Sequence, residues 1–325
     1  MDISLKQLIM KATDASDISH RELIQSLWSG YGEIVRLNLQ GSPIKQAVLK
    51  HVSPPNEINH PRGWHSDTSH LRKLKSYQVE IHWYEQWSQY CDEACRVPKI
   101  FLTTPHGNGF VMLLEDLNTS GFSVRKENVE VSDIHLCLQW LANFHATFLG
   151  EKAEGLWKTG CYWHLETRQD ELAAMQNKAL QQAASDIDAC LQSAHYQTFV
   201  HGDAKLANFC FADDGQSVAA VDFQYVGGGC GIKDVAYFLG SCLDDQQCEN
   251  CIPDLLDVYF EYLRIAIGSR QQDIDIRALE VEWRNLFPIA WVDFYRFLDG
   301  WMPNHWKIND YTRRLSTHIL ASRDM

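Results

Sequence analysis

The chain has 325 residues, of which 45% are hydrophobic and 22% are charged. This composition is typical of a globular protein, and the length exceeds what one compact core usually holds, so two domains or two lobes are expected. The formal net charge of −13 argues against non-specific nucleic-acid binding, because such binding requires a basic surface.

The N-terminal segment Met1–His20 lacks the apolar stretch and cleavage site of a secretory signal peptide. No apolar run reaches the roughly 18 residues of a membrane-spanning helix. We therefore expect a cytoplasmic protein that does not bind membranes and whose 10 cysteines are reduced. The spacing of Cys248 and Cys251 would allow a zinc site, but a single CxxC pair favours plain thiols.

In chain order, the first predicted element is a short helix over Asp17–Trp28, which has an apolar stripe at helical spacing. Residues Ser29–Val52 then alternate between apolar and polar, which predicts a β-hairpin with its turn at Gly41–Pro43. Ser53–Ser69 is rich in Pro, Asn, Ser and His, and it is predicted to be a long exposed loop.

A second helix is predicted over Ser76–Trp87, where Tyr77, Ile81 and Tyr84 share one face. Glu80 falls on the same apolar face. A carboxylate that points into a core costs free energy unless a cation pairs with it. This helix therefore predicts a buried cation elsewhere in the chain.

Gly109–Leu117 is an apolar strand that ends in acidic residues, and the loop after it is the predicted lobe boundary. We accordingly assign residues 1–116 to an N-terminal nucleotide-binding lobe and residues 117–325 to a C-terminal catalytic and acceptor-binding lobe. The pattern then becomes helical, beginning with a helix that is capped by Ser132 and closed by Gly150.

Further along, Leu165–Gln192 predicts a polar helical region, and two short strands are expected around "FVHGD" and "VAAVDFQ". The remainder from Asp234 is mostly helical. The predicted fold class is therefore α+β, with a β-rich N-terminal lobe and a larger, mostly helical C-terminal lobe.

Three polar residues beside the two short strands have the spacing of a kinase-type active site. Asn208 follows Asp203 by five positions, and Asp222 follows Asn208 by 14. Magnesium must bridge the phosphates of ATP, and it prefers oxygen ligands such as carboxylates and amide carbonyls. Asp203 is therefore the candidate base for an acceptor hydroxyl, and Asn208 and Asp222 are the candidate metal ligands.

The same scheme requires a lysine on an N-terminal strand that pairs with a glutamate on a helix. Lys50 in "AVLK" and the buried Glu80 meet this requirement, and the pair would hold the α- and β-phosphates. Gly30 and Gly32 are the candidates for a hairpin that covers the nucleotide, although a third glycine is missing.

Taken together, "HGDAKLAN", "VDFQ", "GIKDVAYFLG" and "YQVEIHWYEQW" resemble the motifs of kinase-like small-molecule phosphotransferases. These include aminoglycoside phosphotransferases, choline kinases and ecdysteroid-kinase-like proteins, and the last branch is the most similar. The resemblance extends from the glycine hairpin to Gly240 and more loosely over the C-terminal helices. Gln224 departs from the glycine of protein kinases, and the interval between Lys50 and Glu80 is longer than usual.

The resemblance implies a bilobal protein-kinase-like fold with ATP between the lobes and adenine on the backbone near Glu115 and Leu117. It implies Mg²⁺-dependent transfer of the γ-phosphate to a hydroxyl of a small molecule. Within the catalytic loop, His201 is expected to support the loop rather than transfer a proton. Lys205 either neutralises charge on the transferred phosphoryl group or is a solvated loop residue.

Several features near the catalytic loop have a less specific interpretation. Asp234 is expected to fix the loop or cap the next helix. "GGGCG" at Gly227–Gly231 lacks the spacing of a dinucleotide-binding motif and is interpreted as a flexible segment near the acceptor. Aromatic residues from Trp291 onward either form core or line the acceptor pocket, even as a cage for a quaternary ammonium. Trp301 and Trp306, near a helix end, are the better pocket candidates.

Two other functions remain open. One is a catalytically inactive nucleotide-binding protein with a kinase fold, which the incomplete glycine loop favours. The other is a metal-dependent phosphohydrolase that uses His201, Asp203 and Asp222 but leaves Lys50 and Glu80 without a role. The sequence leaves open the oligomeric state and the acceptor, which could be a sugar, amino alcohol, sterol or antibiotic; the acidic net charge hints at a cationic one.

Overall fold

The computed structural model describes residues 2–27, 30–54, 67–270 and 273–321. The chain divides into two structural units. Unit 1 comprises Met1–Gln89, Val97–Val124 and Cys210–Val221, and unit 2 comprises Tyr90–Arg96, Arg125–Phe209 and Asp222–Met325. The boundary between residues 116 and 117 was predicted to separate a nucleotide-binding lobe from a catalytic lobe, and this division stays a prediction.

Unit 1 is built on a five-stranded antiparallel sheet of order β1-β2-β3-β5-β4. Its strands are β1 Asp17–Ser26, β2 Gly32–Gln40, β3 Gln46–Val52, β4 Ile100–His106 and β5 Gly109–Glu115. Two helices belong to the same unit, α1 Ile3–Thr13 and α2 Asp67–His82. One π-helical turn, Trp83–Trp87, continues α2.

Successive side chains along β2 and β3 point to opposite faces of this sheet. Val35 and Leu37 of β2 and Leu49 of β3 are buried with Leu5 and Ile9 of α1 in one hydrophobic core cluster of unit 1. The intervening residues point to the opposite face, where Ile34 pairs with Lys50 across the two strands. The hairpin predicted for this region is confirmed over its described part.

The helix predicted over Asp17–Trp28 is wrong for the described residues of that range, which form strand β1. The apolar stripe that suggested a helix is not buried, since Leu23 and Ile24 are 56% and 44% exposed. Pairing with β2 instead satisfies the backbone, and Leu23 lies opposite Val35. Pairing with the next strand therefore decides the conformation that local periodicity misassigns.

The loop predicted over Ser53–Ser69 is mostly undecided, because residues 55–66 lie outside the described residues. Helix α2 begins at Asp67, so the predicted loop is too long at its C-terminal end. The helix predicted from Ser76 is confirmed as the second part of α2 and the π-helical turn that follows.

Unit 2 is mostly helical, and three of its helices precede the catalytic loop in the sequence while four follow it. They are α3 Val131–Thr147, α4 Gln169–Ala174, α5 Lys178–Gln192, α6 Ile232–Cys242, α7 Asp245–Ser269, α8 Ile276–Trp301 and α9 Asp310–Ala321. In unit 2, β6 Thr198–Val200 pairs with β9 Gly227–Gly229. The other short pair is β7 Phe209–Phe211 with β8 Val218–Ala220, and residues Cys210–Val221 belong to unit 1. The predicted α+β class is confirmed.

Helix α3 begins earlier than predicted. Its N-cap is Glu130 rather than Ser132, and the Asp133 carboxylate accepts a hydrogen bond from the Glu130 backbone N–H at 3.1 Å. This reciprocal capping box satisfies amide groups that the first helical turn leaves without partners.

The glycine run Gly227–Gly231 was predicted to be a flexible segment, and this prediction is wrong. Gly227–Gly229 forms strand β9, which is antiparallel to β6. Glycine is required at position 227, since a Cβ atom there would collide with the carbonyl oxygen of Trp157. The run therefore allows close backbone packing beside the catalytic loop.

No helix in the described part of the chain is both long enough and apolar enough to cross a membrane. All 10 cysteines are free thiols. Among the described residues, no group of three or more His, Cys, Asp or Glu side chains could hold a metal ion, so Cys248 and Cys251 belong to no such cluster.

Candidate active site

One buried carboxylate binds the backbone of the loop that follows β6. Asp234, in the first turn of α6, accepts hydrogen bonds from the backbone N–H of His201 at 2.5 Å and of Gly202 at 3.0 Å. Gly202 has a φ of 79°, which favours glycine, and a Cβ atom there would collide with the Tyr225 carbonyl oxygen. The predicted role of Asp234 in fixing the loop is confirmed.

Asp203, next in the loop, is surrounded by hydrogen-bond donors. Its Oδ1 accepts from the Tyr237 hydroxyl at 3.0 Å, and its Oδ2 accepts from Lys205 Nζ at 3.0 Å and Asn208 Nδ2 at 3.2 Å. Its backbone N–H donates to His201 Nδ1 at 3.2 Å. The fully buried His201 thus contacts the loop backbone, its supporting role stays a prediction, and the Asp203 carboxylate is fixed in one orientation.

The electrostatic environment of Asp203 suits a base. Burial raises the pKa of its carboxyl above the usual range, the adjacent Lys205 opposes this shift, and the negative charge of Asp222 adds to it. Burial lowers the pKa of Lys205, but the charge of Asp203, its hydrogen bond to Lys205 and the charge of Asp222 together leave the pKa raised. A base is most effective when its pKa approaches the operating pH, so a raised pKa favours proton acceptance by Asp203.

Asn208 and Asp222 supply the oxygen atoms that a divalent cation requires. The Asn208 amide nitrogen donates to the Asp203 carbonyl oxygen at 2.7 Å, which turns its amide oxygen the other way. Asp222 has a φ of 69°, a strained conformation for a residue other than glycine. Its charge repels that of Asp203, and a bound cation would offset this repulsion, so these residues fit Mg²⁺.

Two residues that hold these carboxylates were not assigned from the sequence. Gln224 Nε2 donates to Asp222 Oδ1 at 2.6 Å, although the sequence marked Gln224 only as a departure from protein kinases. Tyr237 contacts Asp203 and lies three positions after Asp234 on α6. Residues at that spacing share a helix face, so Tyr237 could have been predicted from Asp234.

In unit 1, Lys50 on β3 forms a buried ion pair with Glu80 on α2, with 2.6 Å between Lys50 Nζ and Glu80 Oε2. The two residues are only 4% and 2% exposed. The cation that Glu80 was expected to need is therefore Lys50, and the longer interval between them does not prevent the pairing.

Gly30 lies two residues before β2, and Gly32 is the first residue of that strand. Both have positive φ, 75° and 129°, and a Cβ atom on Gly32 would collide with the His51 carbonyl oxygen. The Leu27 backbone N–H donates to the Gly32 carbonyl oxygen at 2.8 Å. The two glycines therefore lie where β2 begins its pairing with β1, and their contact with the nucleotide stays a prediction.

Glu115 and Leu117 lie at the end of β5. The Glu115 backbone N–H is paired with the Lys99 carbonyl oxygen at 2.8 Å, so it does not face a ligand. Leu117 is buried against Cys210 and Ala219, and its backbone N–H donates to no residue within the described ranges. The predicted contact of Leu117 with a nucleotide base stays a prediction.

The two tryptophans predicted to line the acceptor pocket lie in different surroundings. Trp301 stacks on Phe297 with 5.5 Å between ring centroids. Trp306 is 59% exposed, and the ammonium of Lys307 lies 5.6 Å from the centroid of its ring. By contrast, Trp291 is core, because its buried indole donates to Thr312 at 2.9 Å.

A cavity of about 450 Å³ in unit 2 lies elsewhere, beside β9 and the start of α6. It is lined by Lys152, Lys158, Gln192 and Lys233 among others, and by none of the predicted site residues. Cavity size therefore does not indicate where the predicted chemistry takes place.

Comparison with known proteins shows the family and the fold of the chain. The family model described as the phosphotransferase enzyme family matches residues 58–267, which is more than half of the chain. No curated protein matches the chain significantly.

Two solved structures share the fold at low sequence identity. A microcompartment-associated aminopropanol kinase is 15% identical, with a TM-score of 0.51 over 98% of this chain and 94% of that one. The amicoumacin kinase hAmiN, solved with AMP-PNP, Ca²⁺ and Ami, is 13% identical, with a TM-score of 0.52 over 99% of this chain and 94% of that one. The kinase-like fold is thus shared along nearly the whole length, and by the family match the chain belongs to the phosphotransferase enzyme family.

Proposed function

We propose that this protein is an ATP- and Mg²⁺-dependent kinase that phosphorylates a hydroxyl group of a small molecule. The observation that carries the proposal is the Asp203 carboxylate, which is buried and oriented by Tyr237, Lys205 and Asn208. The two solved kinases of the same fold act on small molecules by their descriptions, and one of them contains an ATP analogue and a divalent cation.

In the proposed reaction, the acceptor hydroxyl donates a hydrogen bond to Asp203, which accepts its proton as the oxygen attacks the γ-phosphorus. The new bond joins the acceptor oxygen to phosphorus, and the bond from phosphorus to the β,γ-bridging oxygen breaks to leave ADP. Lys50, steadied by Glu80, binds the α- and β-phosphates. Lys205 lies beside Asp203 with its side chain 40% exposed, and it stabilises the phosphoryl group during transfer.

Mg²⁺, when bound by Asn208 and Asp222, supplies charge neutralisation for the phosphates. The role of this chain is to orient the two ligands: Gln224 fixes the Asp222 carboxylate, and the hydrogen bond from the Asn208 amide nitrogen directs its oxygen. The adenine ring of ATP is proposed to accept a hydrogen bond from the Leu117 backbone N–H. Gly30 and Gly32 are proposed to approach the phosphates of ATP.

Isothermal titration calorimetry with ATP, with and without Mg²⁺, tests the binding half of this proposal. We expect Mg²⁺-dependent ATP binding and slow ATP hydrolysis by the wild-type protein, and loss of both in Lys50→Met. The exposed Lys45, which directly precedes β3, is the matched control, and Lys45→Met should behave as wild type.

The outcome also separates the alternative functions. Binding without any hydrolysis or transfer would identify an inactive nucleotide-binding protein. Hydrolysis that persists in Lys50→Met would favour a phosphohydrolase, because only a kinase requires Lys50 for nucleotide phosphates. Absence of ATP binding in the wild-type protein would exclude the kinase.

A further inference from the structure

Lys307, in the segment between α8 and α9, places its ammonium among three aromatic rings. Its Nζ lies 4.8 Å from the ring centroid of Tyr237, 5.3 Å from that of Phe294 and 5.6 Å from that of Trp306. All three distances are within the range of cation–π attraction. The chain therefore fills its own aromatic cage with a cation.

This cage adjoins the catalytic carboxylate through a shared residue. Tyr237 contacts Lys307 with its ring and donates its hydroxyl to Asp203 Oδ1 at 3.0 Å. The charges of Asp203 and Lys205 both act on Lys307. An acceptor whose hydroxyl reaches Asp203 would thus bring its neighbouring atoms within reach of this ammonium.

The ammonium of Lys307 also lacks hydrogen-bond acceptors within the described ranges. Within the described ranges, Lys307 Nζ donates to no hydrogen-bond acceptor and lies within ion-pair distance of no carboxylate, while its three N–H groups need acceptors. Burial lowers the pKa of Lys307 to about 8, so the group still carries its charge at neutral pH. A half-buried cation without acceptors gains free energy when an anion binds it.

We infer, on the basis of the proposed function, that the acceptor carries a carboxylate or a similar anionic group near its reactive hydroxyl, and that Lys307 binds this group. The aromatic cage is then not a site for a quaternary ammonium, because Lys307 occupies it. The net charge of −13 does not contradict this, since distant surface charges are screened by salt whereas Lys307 acts at contact.

Three acceptors of similar length and different charge test the inference: 4-hydroxybutyrate, 1,4-butanediol and 4-amino-1-butanol. The measurement is kcat/KM for phosphorylation of each by the wild-type protein, Lys307→Met and Lys307→Arg. We expect the wild-type protein to prefer the hydroxy acid about tenfold or more, as a charge-assisted hydrogen bond would give. The preference should be lost in Lys307→Met and largely kept in Lys307→Arg, and thermal unfolding of each variant would show whether it folds.

A preference for the amino alcohol, or equal rates for all three, would overturn the inference and leave the kinase assignment intact. If none is phosphorylated, inhibition of the slow ATP hydrolysis by the three compounds gives the same ranking, and equal or absent inhibition counts against the inference. Absence of ATP hydrolysis and transfer altogether would instead contradict the proposed function.

Discussion

At the scale of single residues, the site depends on how firmly one carboxylate is oriented. Three side chains donate to the two oxygens of Asp203, and each comes from a different local structure: Tyr237 from α6, Lys205 from the loop and Asn208 from the turn after it. In the proposed reaction, a carboxylate held in this way would need no reorientation when the acceptor arrives, which is the condition for efficient proton transfer.

Tyr237→Phe tests this orientation. The variant keeps the ring beside Lys307 and removes the hydroxyl that donates to Asp203. A hydrogen bond to a charged group contributes about 1.5–3 kcal/mol, so we expect kcat to fall roughly 10- to 100-fold. ATP affinity should not change, because Tyr237 is not assigned to the nucleotide. Steady-state kinetics would measure both, with Tyr262→Phe on α7 as the control; an unchanged kcat would show that Asp203 does not require this donor.

At the scale of secondary structure, the ion pair between β3 and α2 joins a strand to a helix across a buried boundary. Lys50 and Glu80 are almost fully buried, so each requires the other to offset the cost of leaving water. Replacing such a pair by apolar residues is often neutral for stability, whereas removing one partner leaves an unpaired buried charge.

Lys50→Met should therefore destabilise the protein by about 3–5 kcal/mol, and Lys50→Met combined with Glu80→Leu should recover most of that loss. The double variant should nevertheless remain inactive, since it cannot bind the phosphates through Lys50. Urea unfolding would give the free energies. The exposed pair of Arg313 and Asp310 is the control, and Arg313→Met should cost less than about 1 kcal/mol. A stable but active double variant would contradict the assigned role.

Local patterns explain what the sequence predicts at this scale. Alternation in β2 and β3 and the position of Glu80 on an apolar helix face depend on neighbours in the chain, and both were predicted correctly. The conformation of β1 was predicted wrongly, because it depends on pairing with β2. Gln224 and Lys307 were missed for a similar reason: their contacts are set by tertiary packing rather than by spacing.

At the scale of the whole molecule, composition restricts the function less than the placement of a few charges does. The net charge of −13 hinted at a cationic acceptor, whereas the ammonium of Lys307 near Asp203 favours an anionic one. The family and the fold follow from motifs spread over most of the chain, and these motifs identify the reaction class. The acceptor depends on a segment after α8 that none of the motifs includes.

The most direct test of the account is phosphorus NMR of the transfer reaction. The reaction contains wild-type protein, ATP, Mg²⁺ and 4-hydroxybutyrate, or another of the three acceptors that the protein proves able to phosphorylate. It should yield ADP and a phosphate monoester in equal amounts. Asp203→Asn should reduce the rate of ester formation by about 10²- to 10⁴-fold while ATP still binds, and Asp214→Asn, at an exposed turn, should not. Ester formation at the wild-type rate by Asp203→Asn would contradict the proposed role of Asp203 as the base.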